Sequence, residues 1–124
     1  MLMDTITYAT GADHFYDVAG STLSTPADAD VVMRFRSPRA FKLPAGLTGS
    51  TFYAETPASG SSAVFSIQKN DVQIGTLTFA VSSTSATVSF SSETSFAIGD
   101  RLELICTTAS GIDAVYFTFK TFAA

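Results

Sequence analysis

A chain of 124 residues with a net charge of −4 and a pI near 4.6 is long enough to bury its own core without a disulfide or a metal. It is too acidic to offer the basic face that nucleic acid demands. Hydrophobic residues at 46% exclude a disordered polymer, and charged residues at 15% leave an exterior built largely of serine and threonine, poor in the repelling charge that keeps proteins apart.

Residues 1–30 read as an N-terminal arm and connector, the least regular part of the chain, with one short strand at Phe15 to Val18 and then a turn-rich stretch, GSTLSTPADAD. Residues 31–124 read as the folded domain. Val31 to Arg36 alternates, with Val31, Met33 and Phe35 on one face and Arg34 and Arg36 on the other, which predicts a half-buried strand ended by Pro38. Short strands are expected at Phe41 to Leu43 and at Ser50 to Glu55.

Val64 to Phe79 predicts a hairpin. Phe65 and Ile67 share a face, Asn70 and Asp71 tolerate the positive φ of a two-residue turn, and Val72 and Ile74 resume the alternation. Beyond Gly75 the apolar parity moves to Leu77, Phe79 and Val81. A strand accommodates that only with an inserted residue, so Gly75 is expected to form a bulge or sharp bend at positive φ. Further strands are predicted at Ser85 to Ser91, with Ala86, Val88 and Phe90 inward, and after the turn at Phe96 to Asp100, with Leu102, Leu104 and Cys106 inward. The last is predicted at Asp113 to Phe122, with Val115, Phe117 and Phe119 inward. No helical periodicity competes. Seven or eight such strands fit a single antiparallel β-sandwich, with a jelly roll among its candidate connections.

Candidate chemistry is sparse. His14 is the only histidine, so any nucleophile–base arrangement would have to run through it. Asp13, Asp17, Asp28 and Asp30 could supply oxygens to calcium but form no calcium-loop motif, and read instead as turn acids. Cys106 falls on the inward parity, where a thiol behaves as a small hydrophobe, and the single cysteine cannot close an internal disulfide. Glu55, Glu93 and Glu103 stand on different strands or turns and make no glycosidase pair. The expectation is a non-enzyme with no catalytic residue, metal or cofactor. Arg34, Arg36 and Arg39 suit either an interface or a solvated sheet face. Tyr116 and Phe122 suit a contact surface for a partner chain or for sugar stacking. No apolar run approaches the ~18 residues of a membrane-spanning helix, and the start lacks a basic region followed by an apolar one. The reading is therefore a soluble product with no signal peptide and no membrane insertion.

Taken in order, Arg36 to Ser50, Val64 to Ala80, Phe96 to Leu104 and the strand that begins at Asp113 resemble a β-sandwich module found at the C-terminal ends of bacteriophage, prophage and gene-transfer-agent structural proteins, both tail-fibre-like and head-fibre-like. The hairpin turn departs from the Asn-Gly usual there, having Asn70-Asp71. The resemblance implies a virion protein without catalytic residues, made in the host cytoplasm. The foremost expectation is an accessory capsid decoration or cement protein, a homotrimer bound to the major capsid protein or another virion protein. Leu2, Ile6, Tyr8, Phe15 and Tyr16 of the arm, together with Arg34, Arg36 and Tyr116, are the expected interface. The alternatives are a tail-fibre or baseplate adhesin that binds a host surface glycan, and a secreted carbohydrate-binding β-sandwich.

Overall fold

The computed structural model describes residues 14–124. Ten strands follow in chain order: β1 (His14–Ser21), β2 (Val31–Arg36), β3 (Phe41–Leu43), β4 (Thr51–Thr56), β5 (Ala63–Lys69), β6 (Val72–Phe79), β7 (Thr87–Ser89), β8 (Thr94–Phe96), β9 (Arg101–Thr108) and β10 (Asp113–Ala123). All pairings are antiparallel, and they form two sheets, so the protein is an all-β sandwich.

The first sheet runs β1-β10-β3-β8 and the second β2-β9-β5-β6-β7. Strand β4 pairs with β10 on the flank opposite β1, end to end with β3. The two are halves of one interrupted strand, broken at the tight turn Ala45–Leu47, where Gly46 and Leu47 take positive φ. The partners are nested: β1 with β10, β2 with β9, β3 with β8, β5 with β6. One long antiparallel ribbon has been rolled so that successive limbs fall in opposite sheets, which is the arrangement of a jelly roll.

The expected hairpin is β5–β6. Asn70 and Asp71 both adopt positive φ, at 50° and 71°, and join Lys69 to its partner Val72. These are the angles whose twist matches that of the flanking strands. The parity change in β6 is also present, because Ile67 pairs with Gly75 while Gln68 pairs with Gln73, leaving Ile74 as the inserted residue. The expected positive φ at Gly75 is corrected: it is not among the positive-φ glycines. Space makes the demand instead. A Cβ there would lie 2.6 Å from the carbonyl oxygen of Ser89 and 2.7 Å from Cδ1 of Phe90.

The core lies between the sheets. Phe41, Leu43 and Phe96, then Phe65, Phe79 and Phe117, then Leu77, Leu102, Leu104 and Phe119 are fully buried. The rings of Phe41 and Phe96 stack 4.7 Å apart, and Phe65 meets Phe79 and Phe117 edge-on at 5.8 and 5.2 Å, joining the sheets. Within the stretch expected as an arm, β1 is a full strand whose Val18 is buried and whose register on β10 runs from His14 opposite Phe122 to Ser21 opposite Tyr116. Strand β8 lies where no strand was expected, ending at the first residue of the expected turn Phe96 to Asp100, and it pairs with β3 through Phe96 and Phe41.

Candidate functional site

The described residues enclose no pocket, and no three His, Cys, Asp or Glu side chains among them converge on a metal-sized site. The acids considered for calcium have local work: Asp28 accepts a hydrogen bond from the amide of Ala109 at 3.0 Å, and Asp30 one from the amide of Ala27 at 2.8 Å. Asp17 is an exposed residue of β1, opposite Lys120. Asp13 lies outside the described residues, as do Leu2, Ile6 and Tyr8 of the expected interface. Burial pushes the Cys106 thiol up to about 11, helped by the charges of Asp28 and Asp30, so it is a poor nucleophile.

The surface organises into three constellations. At the hairpin end, Asn70 and Asp71 fasten the β5–β6 turn to the β8–β9 turn. Asn70 donates through Nδ2 to Asp100 at 3.0 Å and accepts from the amide of Arg101 at 2.9 Å, while Asp100 also accepts from the amide of Ala97 at 2.8 Å. Arg101 grips Asp71 with both terminal nitrogens, at 3.2 and 3.0 Å. The hydrogen bond and charge of Arg101 hold Asp71 below its ordinary value of 3.8, and the bond from Asn70 does the same for Asp100. Asp71 in turn raises Arg101.

On the outer face of the second sheet, Arg34, Glu103, Gln68 and Gln73 line up across β2, β9, β5 and β6. Arg34 donates through Nε to Glu103 at 2.9 Å, and Arg101 approaches the other carboxylate oxygen at 3.5 Å. The Glu103 side chain is left 4% exposed beneath an arginine that is 72% exposed. Two guanidinium partners offset the cost of removing that carboxylate from water. Nothing in the sequence flagged Glu103, because alternation places it outward and cross-strand register is invisible to alternation. Arg36 lies near Gly99 at the same end.

On the first sheet, Phe15 and Tyr16 of β1 are half-buried against the core of their own chain. Tyr16 lies 5.9 Å from Phe41 and 6.3 Å from Phe35, and the Arg39 guanidinium covers both Phe15 and Tyr16 at 5.6 and 5.7 Å. Tyr116, by contrast, stands on the outer face directly opposite Tyr53. The two rings lie 6.2 Å apart, and the Tyr116 hydroxyl donates to the Glu55 carboxylate. That bond and the negative charge of Glu55 raise the Tyr116 phenol above its ordinary value of 10.0. The expected interface residues are therefore spread over both sheets: Phe15, Tyr16 and Tyr116 on the first, Arg34 and Arg36 on the second.

No protein-family model matches the chain, and no curated protein matches it.

Proposed function

We propose that this chain is a non-enzymatic structural protein of a bacteriophage-type particle, an accessory capsid decoration protein that works as a homotrimer attached through the segment ahead of β1. The observation that carries the reading is the rolled ribbon. Its core is filled by its own phenylalanines and leucines, and its turns are fastened to one another by the Asn70, Asp71, Asp100 and Arg101 bonds. A sandwich of this kind fills its core without a partner, and its exposed residues are rich in serine and threonine. Jelly rolls recur in viral capsid and lectin domains, an analogy at the level of architecture that agrees with the motif resemblance. Three-fold positions in a capsid lattice favour a trimer.

Quantitative mass spectrometry of purified particles tests the reading, with sedimentation of the free protein beside it. Hundreds of copies per particle support capsid decoration, and a handful of copies would instead favour the fibre or baseplate adhesin. Deleting residues 1–12 leaves every described strand intact and should strip the protein from particles. Full occupancy by the truncated chain, or a monomer that never co-purifies with particles, overturns the proposal.

A further inference from the structure

The pair of tyrosines on the outer face of the first sheet has no part in holding the core together. Tyr53 is 48% and Tyr116 46% exposed, whereas the neighbours that alternate with them, Phe52, Ala54, Val115 and Phe117, are buried. The row in which they stand is Ser21 of β1, Tyr116 of β10, Tyr53 of β4, then Ser85, which bridges to Tyr53. Both serines are exposed. The adjacent row on one side carries Ala19, Thr118 and Thr51. The two rings thus stand beside each other, tilted 39°, each half-exposed and bordered beyond its partner by a serine.

A structural role for the pair amounts to one cross-strand contact, a minor share of the stability of the sheet. The polar groups around it ask for more. Glu55 stands on the same face of β4 as Tyr53, and its carboxylate is held by the Tyr116 hydroxyl. An ionised carboxylate accepts at about four lone-pair sites, and Tyr116 uses one. An acceptor fixed beside two aromatic faces is complementary to a molecule that carries an apolar C–H face and a rim of hydroxyl donors.

We propose that Tyr53, Tyr116 and Glu55 form a binding site for a neutral saccharide chain. One pyranose stacks its C–H face on each ring, hydroxyls donate to Glu55, and Ser21 and Ser85 line the two ends of the row. A protein partner fits less well, because two rings bordered by serine and threonine offer too little apolar area for a stable interface. An acidic saccharide is disfavoured by Glu55 and by the net charge of −4. The nearby cation Lys120 lies over Phe122 instead, 5.5 Å from its centroid. The site does not depend on particle attachment, so its failure and that of the proposed function are separate results.

The test is titration of the full chain with cellohexaose, maltohexaose, chitohexaose and mannohexaose, and with hexagalacturonate as the acidic comparison. It is followed by calorimetry and by backbone amide shifts. The chain has no tryptophan and two of its four tyrosines lie in the site, so the part of the tyrosine emission change that is absent in Tyr53→Ala/Tyr116→Ala reports on it. At least one neutral hexasaccharide should bind saturably at millimolar concentration or below, with shifts centred on Tyr53 and Tyr116. Tyr53→Ala and Tyr116→Ala should each weaken that binding about tenfold or more without lowering the melting temperature appreciably. Glu55→Gln should weaken it less and reduce the discrimination against hexagalacturonate. Absence of binding by all four neutral sugars overturns the proposal. So does binding that survives the double variant Tyr53→Ala/Tyr116→Ala, or tighter binding of hexagalacturonate by the unaltered chain.

Discussion

Replacing Gly75 with alanine adds one methyl group at a residue with no conformational demand for glycine. The structure puts that methyl 2.6 Å from a backbone carbonyl oxygen, of Ser89, and 2.7 Å from the ring of Phe90, which is 4% exposed. A carbonyl in the β6–β7 pairing cannot rotate away as a flexible side chain could, so either β7 separates from β6 or Phe90 leaves the core. Overpacking of this kind costs about 1–3 kcal/mol and occasionally more. Alanine regains roughly 0.5–1 kcal/mol in strand entropy over glycine. With two contacts under 3.0 Å, one of them to backbone, the upper end of that range applies, and the expected net loss is about 2 kcal/mol, on the order of 15–40% of the stability of a domain this size. Gly60→Ala supplies the contrast: Gly60 has a φ of 85° but nothing within 4 Å of its would-be Cβ, so it suffers only the left-handed backbone penalty of about 1–2 kcal/mol less the same entropy gain. Urea denaturation followed by circular dichroism ranks the two. If Gly75→Ala unfolds at the same midpoint as the parent, or later than Gly60→Ala, close approach is not what requires glycine in β6.

Phe65→Ala removes the ring that touches Phe79 and Phe117 from opposite sheets and should cost ~3–5 kcal/mol by denaturant unfolding; a loss below ~1 kcal/mol would mean that this contact does not join the sheets. Because the native Cys106 thiol keeps its proton, its contribution to stability is complete below the ordinary thiol value of 9.0 and is lost as pH rises through about 11. An aromatic disulfide reagent should therefore label it at pH 8 only after unfolding, and rapid labelling of the native protein would contradict its burial. In a spectrophotometric titration Tyr116 should ionise later than an ordinary tyrosine, and Glu55→Gln should bring that ionisation down. Asp71 and Asp100 are held below 3.8, so the bonds between the two turns contribute fully above that value and are lost as pH falls through the lowered ones. Protection factors at the amides of Asn70 and Arg101, taken relative to the intrinsic exchange rate at each pH, should fall in acid before those of the rest of the sheet.

The hairpin was the most legible part of the chain because its signals are local. Alternation gave the inward faces of β5, β9 and β10, the Asn70-Asp71 dipeptide gave the turn, and the parity change gave the bulge to within one residue. A two-residue period says which face a side chain occupies and nothing about which strand lies beside it. That is why Glu103 was passed over among scattered acids although two arginines enclose it. It is also why the reason for Gly75 was misassigned to its own backbone rather than to the approach of β7. Strand β8, at three residues, is too short to show a pattern, and its identity comes from Phe41 stacking on Phe96. Tyr116 was legible as an outward aromatic, but Tyr53 and Glu55 joined it only through the β4–β10 register.

Pairing the first described strand with the last has a consequence for how the protein is made. The amide of Tyr16 bonds to the hydroxyl of Thr121 across 105 residues of sequence, and bringing points that far apart together costs roughly 4 kcal/mol of chain entropy before any contact repays it. Strand β10 lies inside its sheet, with β1 on one flank and β3 and β4 on the other. A nascent chain still tethered at the ribosome short of Asp113 therefore has three strands without their common partner, and their open edges are free to pair with other chains. Folding has to wait for synthesis to reach the final strand, at the slow rates that non-local β pairing imposes. An insertion at the exposed loop around Leu23, by contrast, would leave the assembly order untouched.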